Sequence, residues 1–249
     1  MTTTLTEADR AQYRHVGHLT VPGVFDEREV DALVADIQAW GEGFLAELPA
    51  AQRAWYVDAG VKARDVLRKL DNPHHHRDTV RRLAFTPALV ASVESLIGPG
   101  VSVMFSQIFF KPPEGGGPKP AHQDNYYFGP SDPDGIVTAW IALDDATLEN
   151  GCLYFGEGTN RGPVYAHEAP ADAPYNLQLP AAILARQPMT PAPVPRGGVS
   201  FHHGNTFHQS GPNLSQRWRR ACALHYVNAQ TRFEHPALPY DETLRLRIT

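Results

Sequence analysis

VSVMFSQIFFK, residues 101–111, is the stretch on which the fold class turns. β-Branched and aromatic side chains crowd it, and PPEGGGP at 112–118 breaks it off. Runs of the same kind follow: IVTAWIAL (136–143), GCLYF (151–155), GGVSFHH (197–203) and RACALHYV (220–227). Breaks rich in Gly, Pro and Asp, such as GPSDPDG at 129–135, separate them. Many short strands with turn-rich connections predict an antiparallel sandwich or jelly roll.

Upstream of residue 101 the pattern is mostly helical. Asp26 with Glu29 forms a capping-box signal, and Val30, Leu33, Val34, Ile37 and Trp40 follow at helical spacing. Thr86 and Pro87 open a second helix through Leu89, Val90, Val93, Leu96 and Ile97, which Gly98 ends. Each has one apolar stripe, so these helices are expected to pack on the outside of the β core. Residues 161–196 carry eight prolines and little periodicity. They read as a long loop over one mouth of the barrel, either a lid or a floppy insertion.

The chain has 249 residues, 42% hydrophobic and 20% charged, which predicts one domain over 1–249. Its 27 acidic and 22 basic residues give a net charge of −5 without a basic run. That disfavours nucleic acid and an anionic membrane as partners. Only four of the basic residues are lysines: Lys62, Lys69, Lys111 and Lys119. No apolar stretch approaches the roughly 18 residues of a spanning helix. MTTTLTEADRAQYR at the start lacks the apolar core of a secretory signal, so a cytoplasmic protein is expected. Cys152 and Cys222 are too few for a disulfide framework. Several familiar motifs fail. Gly115–Gly117 is followed by no Lys-Ser/Thr, and there is neither GxGxxG nor GxSxG. His74, His75 and His76 are consecutive, so their side chains cannot all face one ion; a polar loop near a pocket is expected.

Ala121-His122-Gln123-Asp124 carries the chemistry. On an extended strand residues i and i+2 share a face, which sets the His122 imidazole beside the Asp124 carboxylate. His208 would complete a set of two His and one carboxylate, which suits a ferrous ion with open positions for substrate and oxygen. Ser210 shares the His208 face. Arg219, with Ala221 and Ala223 on its parity, would point a guanidinium into a space lined by small residues, where it could hold a carboxylate through two parallel bonds.

The pattern His122-x-Asp124 … His208-x-Ser210 … Arg219, with the Arg eleven positions after the distal His, resembles the phytanoyl-CoA dioxygenase family of Fe(II)/2-oxoglutarate oxygenases. Gly98-Pro99-Gly100, Lys111-Pro112-Pro113 and the strand around Lys69 extend the likeness, which leaves out 161–196. The resemblance implies an α+β fold with a double-stranded β-helix (jelly roll, cupin-like) core and N-terminal helices outside. It implies Fe(II) on His122, Asp124 and His208, and 2-oxoglutarate held by Arg219 and Ser210. Trp140, eighteen positions after His122, matches a tryptophan lining the cosubstrate site, with Thr138 on the same strand face. Gln107 and Lys69 fall where the family contacts 2-oxoglutarate. Asp124 stands where halogenating relatives have Ala or Gly, which disfavours halogenation.

The implied activity oxidises an unactivated C–H bond of a small molecule with O2, giving succinate and CO2. Hydroxylation or oxidative cyclisation could result, and bacterial relatives tailor natural products, including sugar-bearing antibiotics. A CoA thioester would need a Lys/Arg cluster, and the sequence shows no clear one. Tyr126, Tyr127 and Phe128 could stack on a ligand or fill the core; His167, Glu168 and Tyr175 offer polar groups. The competing readings are a non-catalytic metal-binding jelly-roll protein and a cupin-like metalloenzyme with no use for Arg219 and Ser210. Oligomeric state is open.

Overall fold

The computed structural model describes residues 5–59, 65–171 and 176–249. In chain order the strands are β1 (His18–Val21), β2 (Val57–Ala59), β3 (Asp65–Leu67), β4 (Lys69–Asp71), β5 (Ser102–Lys111) and β6 (Lys119–His122). There follow β7 (Ile136–Ala142), β8 (Leu153–Gly156), β9 (Thr190–Ala192), β10 (Val199–His203), β11 (Phe207–Ser210), β12 (Arg219–Val227) and β13 (Leu246–Arg247). The large sheet runs β1-β10-β7-β12-β5-β13, with β4 also on β5; the small one runs β6-β11-β8-β9. Every pairing in both is antiparallel.

Period-two alternation tells the two faces of the large sheet apart. Val137, Ala139 and Ile141 of β7, Val199 and Phe201 of β10, and Cys222, Leu224 and Tyr226 of β12 pack against Val30, Leu33, Ile37, Leu89 and Val93 of two helices. Those helices are Glu27–Glu47 and Pro87–Ile97, as their apolar spacing predicts. The Asp26–Glu29 capping box forms in both directions, at 2.9 Å each way. Thr86 precedes its helix but makes no side-chain cap bond. The alternate residues, Trp140, Ala142, Ala221 and Ala223, meet Leu153 and Phe155 of β8 and Ala192 of β9 from the small sheet. All seven residues of β7 are therefore buried. No helix of the described residues is long and apolar enough to cross a membrane.

The structure departs from the sequence expectation in several places. β1 and the β2–β3 hairpin interrupt the helical first hundred residues, because strands of three or four residues are too short to show a period. The 161–196 stretch contains the helical turn Ala181–Leu184 and strand β9. Pro191 hides that strand from a propensity reading, yet β9 is an edge strand, where a missing N–H is tolerated. Tyr175 and Lys62 lie outside the described residues.

His74–His76 is not a pocket loop but a helical turn, Pro73–His76. His74 is buried. Its Nε2–H donates to the Leu244 carbonyl at 2.7 Å, and its Nδ1 accepts from Ser106 Oγ at 2.6 Å. Burial pushes its pKa from 6.5 down to about 4. The unfolded chain takes up this proton near 6.5 and the folded chain only near 4. Its contribution is therefore complete above pH 6.5 and drains away as the pH falls toward 4. In urea unfolding, the stability gap between wild type and His74→Leu is expected to narrow across that interval.

Candidate functional site

One pocket between the two sheets is lined by Lys69, Gln107, His122, Asp124, Thr138, Trp140, His208, Ser210 and Arg219. Every residue singled out in the sequence for iron or 2-oxoglutarate thus reaches the same cavity. The pairing of β6 with β11 sets His122 directly opposite His208. β6 ends at His122, so Asp124 is not on a strand but opens the short helix Asp124–Phe128. Gln123 between them keeps an extended backbone (φ −122°, ψ 129°), which preserves the shared face of 122 and 124. Gln123 itself points away and ties down neighbouring loops. Its Nε2 donates to the carbonyls of Pro163 and Asn205, and its Oε1 accepts from the Tyr165 N–H.

Ligand atoms of His122, Asp124 and His208 lie within 4.8 Å of one another. Both imidazoles are fixed from behind: Nδ1 of His122 donates to Pro120 O (2.8 Å) and Nδ1 of His208 to Thr206 O (3.0 Å). Each Nε2 lone pair then faces Asp124 Oδ1, at 3.8 and 3.6 Å. Burial, the neighbouring His208 and Lys119 hold His122 well below its ordinary pKa, which favours the neutral imidazole that a metal ligand needs. Burial works against an ionised Asp124, but the surrounding His208, His202 and His225 more than offset it and hold its carboxyl well below the usual range. Thr138 Oγ1 donates to Asp124 Oδ2 at 2.7 Å and in turn accepts from His225 Nδ1 at 2.8 Å. Thr138 therefore orients the carboxylate, leaving Oδ1 toward the imidazoles. Two convergent nitrogens and one oxygen with orienting partners form a donor set that fits a ferrous ion. Thr138→Val keeps the shape and removes both bonds. It is expected to weaken Fe(II) binding about 10–100-fold, read by competition with a chelator.

Arg219 begins β12 and is 2% exposed. Its Nε is buried without a partner, and no carboxylate of the described residues pairs with it. Its guanidinium lies 5.6 Å from the centre of the Trp140 ring. Burial pushes its pKa down to about 9. A buried guanidinium left in this state is costly, and a carboxylate entering the pocket would complete it. Gln107 donates to Asp71 Oδ1 at 2.7 Å, and Lys69 donates to both Asp71 oxygens at 3.1 and 2.9 Å, so Asp71 gathers both residues at one wall.

Sequence reading missed His225 and did not place His202. His225 was legible, since Arg219, Ala221, Ala223 and His225 share one strand parity. His202 pairs with Thr138 across β10 and β7, bringing Nε2 to 3.4 Å from Asp124 Oδ2, which only the sheet order reveals. The absence of a cationic cluster is also overturned, because Arg68, Lys69, Lys111, Lys119 and Arg219 all line the pocket. They come from four strands and a connecting residue, so no basic run exists in the chain. Tyr127 and Phe128 line the pocket too, whereas Tyr126 stacks on His167 with ring centres 4.1 Å apart.

The family model described as Phytanoyl-CoA dioxygenase (PhyH) matches residues 13–221. A probable alpha-ketoglutarate-dependent hypophosphite dioxygenase of Stutzerimonas stutzeri is 26% identical, over 88% of this chain and 77% of its own. Phytanoyl-CoA dioxygenase domain-containing protein 1 of Rattus norvegicus is 33% identical over 63% of this chain, a match spanning 55% of that protein's length. Among solved structures, the epimerase SnoN in complex with Fe3+, alpha ketoglutarate and nogalamycin RO superposes with a TM-score of 0.70. It is 27% identical, and the match covers 93% of this chain and 87% of that one.

Proposed function

The chain belongs to the phytanoyl-CoA dioxygenase family, and from that premise we propose that it is an Fe(II)/2-oxoglutarate-dependent dioxygenase acting on a small molecule. The observation that carries this is a His122–Asp124–His208 cluster sharing one pocket with a buried Arg219 whose Nε has no partner. When bound, iron and 2-oxoglutarate would supply O2-dependent oxidation of a C–H bond, with succinate and CO2 as coproducts. The chain supplies position and environment. His122, Asp124 and His208 would hold the ion, and Thr138 would orient Asp124. Arg219, with Ser210 on the neighbouring sheet and Trp140 beneath, would hold the far carboxylate of 2-oxoglutarate; Gln107 and Lys69 would border it. Apolar walls from Phe105, Phe109, Phe128 and Trp140 would keep water from the reacting centre.

We read the chain as a single α+β oxygenase domain with a double-stranded β-helix core. Residues 161–196 would act as its cover: His167 Nε2 accepts from the Gln123 N–H, and Leu179 N–H donates to Ala121 O beside the cluster. Within this reading the enzyme tailors a secondary metabolite by hydroxylation or oxidative cyclisation, and it works in the cytoplasm. Anaerobic titration of the Fe(II)-loaded protein with 2-oxoglutarate tests the assignment. A weak visible charge-transfer band that Asp124→Ala and Arg219→Ala both abolish is expected. An iron-loaded, folded protein without the band would instead be a silent metal-binding module.

A further inference from the structure

Three of the four lysines in the whole chain, Lys69, Lys111 and Lys119, line the pocket beside Arg68 and Arg219. Most of these cations have a local acceptor. Lys69 pairs with Asp71, Lys111 donates to the Gly211 carbonyl, and Arg68 Nε lies 3.7 Å from Asp58 Oδ1. Lys119 is different. Among the described residues its ammonium donates only to neutral oxygens at the long end of the range, Tyr127 Oη at 3.4 Å and Asn176 Oδ1 at 3.3 Å. No carboxylate of the described residues lies within ion-pair reach of it. Arg68 donates to the same Asn176 Oδ1 at 3.2 Å. Arg68, which also donates to the Trp55 carbonyl, thus shares its Asn176 acceptor with Lys119, and an anion entering there would give the Lys119 ammonium a charged partner.

Position makes this more than a surplus of charge. Tyr127, under the Lys119 ammonium, sets its ring edge-on to His122 with centres 5.7 Å apart, so the pair of cations sits beside the metal-ligand cluster. Lys119 stands opposite Ser210 across β6 and β11, whereas Arg219 packs against Trp140 on the large sheet. Among the described residues, five basic side chains line the pocket, with the carboxylates of Asp58, Asp71 and Asp124 beside them. Burial, with Arg68 and Lys69 nearby, pushes the Lys119 pKa down to about 7, the direction expected where like charges crowd without a counter-ion.

We propose that Lys119 and Arg68 form an anion-binding subsite for the substrate, holding a carboxylate or phosphoryl group while a C–H bond of the same molecule faces the His122–Asp124–His208 cluster. The proposal rests on the oxygenase reading above and narrows its substrate class to anionic small molecules. Neutral sugars would need only Asn176 and Tyr127, and would leave Lys119 without purpose.

Calorimetric titration of the Fe(II)-loaded protein, anaerobically and with or without 2-oxoglutarate, tests it with three probes: hexyl phosphate, hexanoate and 1-hexanol. Both anions, or one of them, are expected to bind at least about tenfold more tightly than the alcohol. The better of the two identifies the group as phosphoryl or carboxylate. Lys119→Gln should remove that preference, and Lys119→Arg should keep most of it, with 2-oxoglutarate affinity in both within about twofold of wild type. Equal binding of the alcohol, or an unchanged preference in Lys119→Gln, overturns the subsite. So does a large loss of 2-oxoglutarate affinity in that variant, which would move Lys119 to the cosubstrate. Failure of wild type to bind 2-oxoglutarate would sink the oxygenase reading instead, and the anion titration without cosubstrate would still report on Lys119.

Discussion

Asp124→Ala is expected to bind Fe(II) roughly a hundredfold or more weakly than wild type and to form no succinate from 2-oxoglutarate. The carboxylate is the one anionic donor of the cluster, facing the Nε2 atoms of His122 and His208 at 3.8 and 3.6 Å. Without it two neutral imidazoles remain to compete with water for a hard-to-intermediate cation. The loss is local. His122 and His208 keep their backbone acceptors Pro120 and Thr206, and β6 keeps its pairing with β11. Near-ultraviolet circular dichroism should therefore match wild type while metal competition and succinate assays collapse together. A variant that kept tight iron binding would remove Asp124 from the ligand set.

Replacing Arg219 by Met should produce opposite effects on two measurements. Truncating one partner of a buried, hydrogen-bonded charge pair costs about 2–5 kcal/mol of binding, so 2-oxoglutarate affinity should fall by roughly two to three orders of magnitude. Stability without cosubstrate should rise. In the free protein the guanidinium is 2% exposed with its Nε unpartnered, and an apolar side chain of similar reach would pack against Trp140, Ala221 and Ala223 without that desolvation cost. A gain of about 1 kcal/mol corresponds to roughly 2–4 °C in Tm for a domain of this size. Excess 2-oxoglutarate should then stabilise wild type by about 2.7 kcal/mol at a hundredfold over Kd and leave Arg219→Met unmoved. Calorimetric scans of both proteins, with and without 2-oxoglutarate, check all of this. An Arg219→Met protein less stable than wild type would mean that the arginine already has a structural partner. Arg219→Lys should recover little binding, because an ammonium cannot form the two parallel bonds of the guanidinium fork.

Much of the site was legible because it is written in strand parity. His208 and Ser210, then Arg219, Ala221 and Ala223, fall on one face by the simple alternation of extended backbone, and both runs are strands in the fold. The His122–Asp124 pair was read correctly for its shared face but not for its setting, since one extended residue, Gln123, suffices to produce that face at a strand end. The wall formed by Lys69, Asp71 and Gln107 was less visible. β4 is three residues long and its alignment with β5, Lys69 opposite Phe109 and Asp71 opposite Gln107, depends on sheet order.

The amino-acid sequence by itself determined the longer strands, the outer helices, the shared face of His122 and Asp124, and the inward parity of Arg219, because each depends on residues within a few positions of one another. The tertiary structure alone decided which distant groups share the cavity. It brought His202 and His225 around Asp124, and it gathered the adjacent Arg68 and Lys69 with the distant Lys111 and Lys119 around one pocket. Charge and hydrogen bonding act through space over a few ångströms, and only the pairing and packing of two sheets bring those residues within that range.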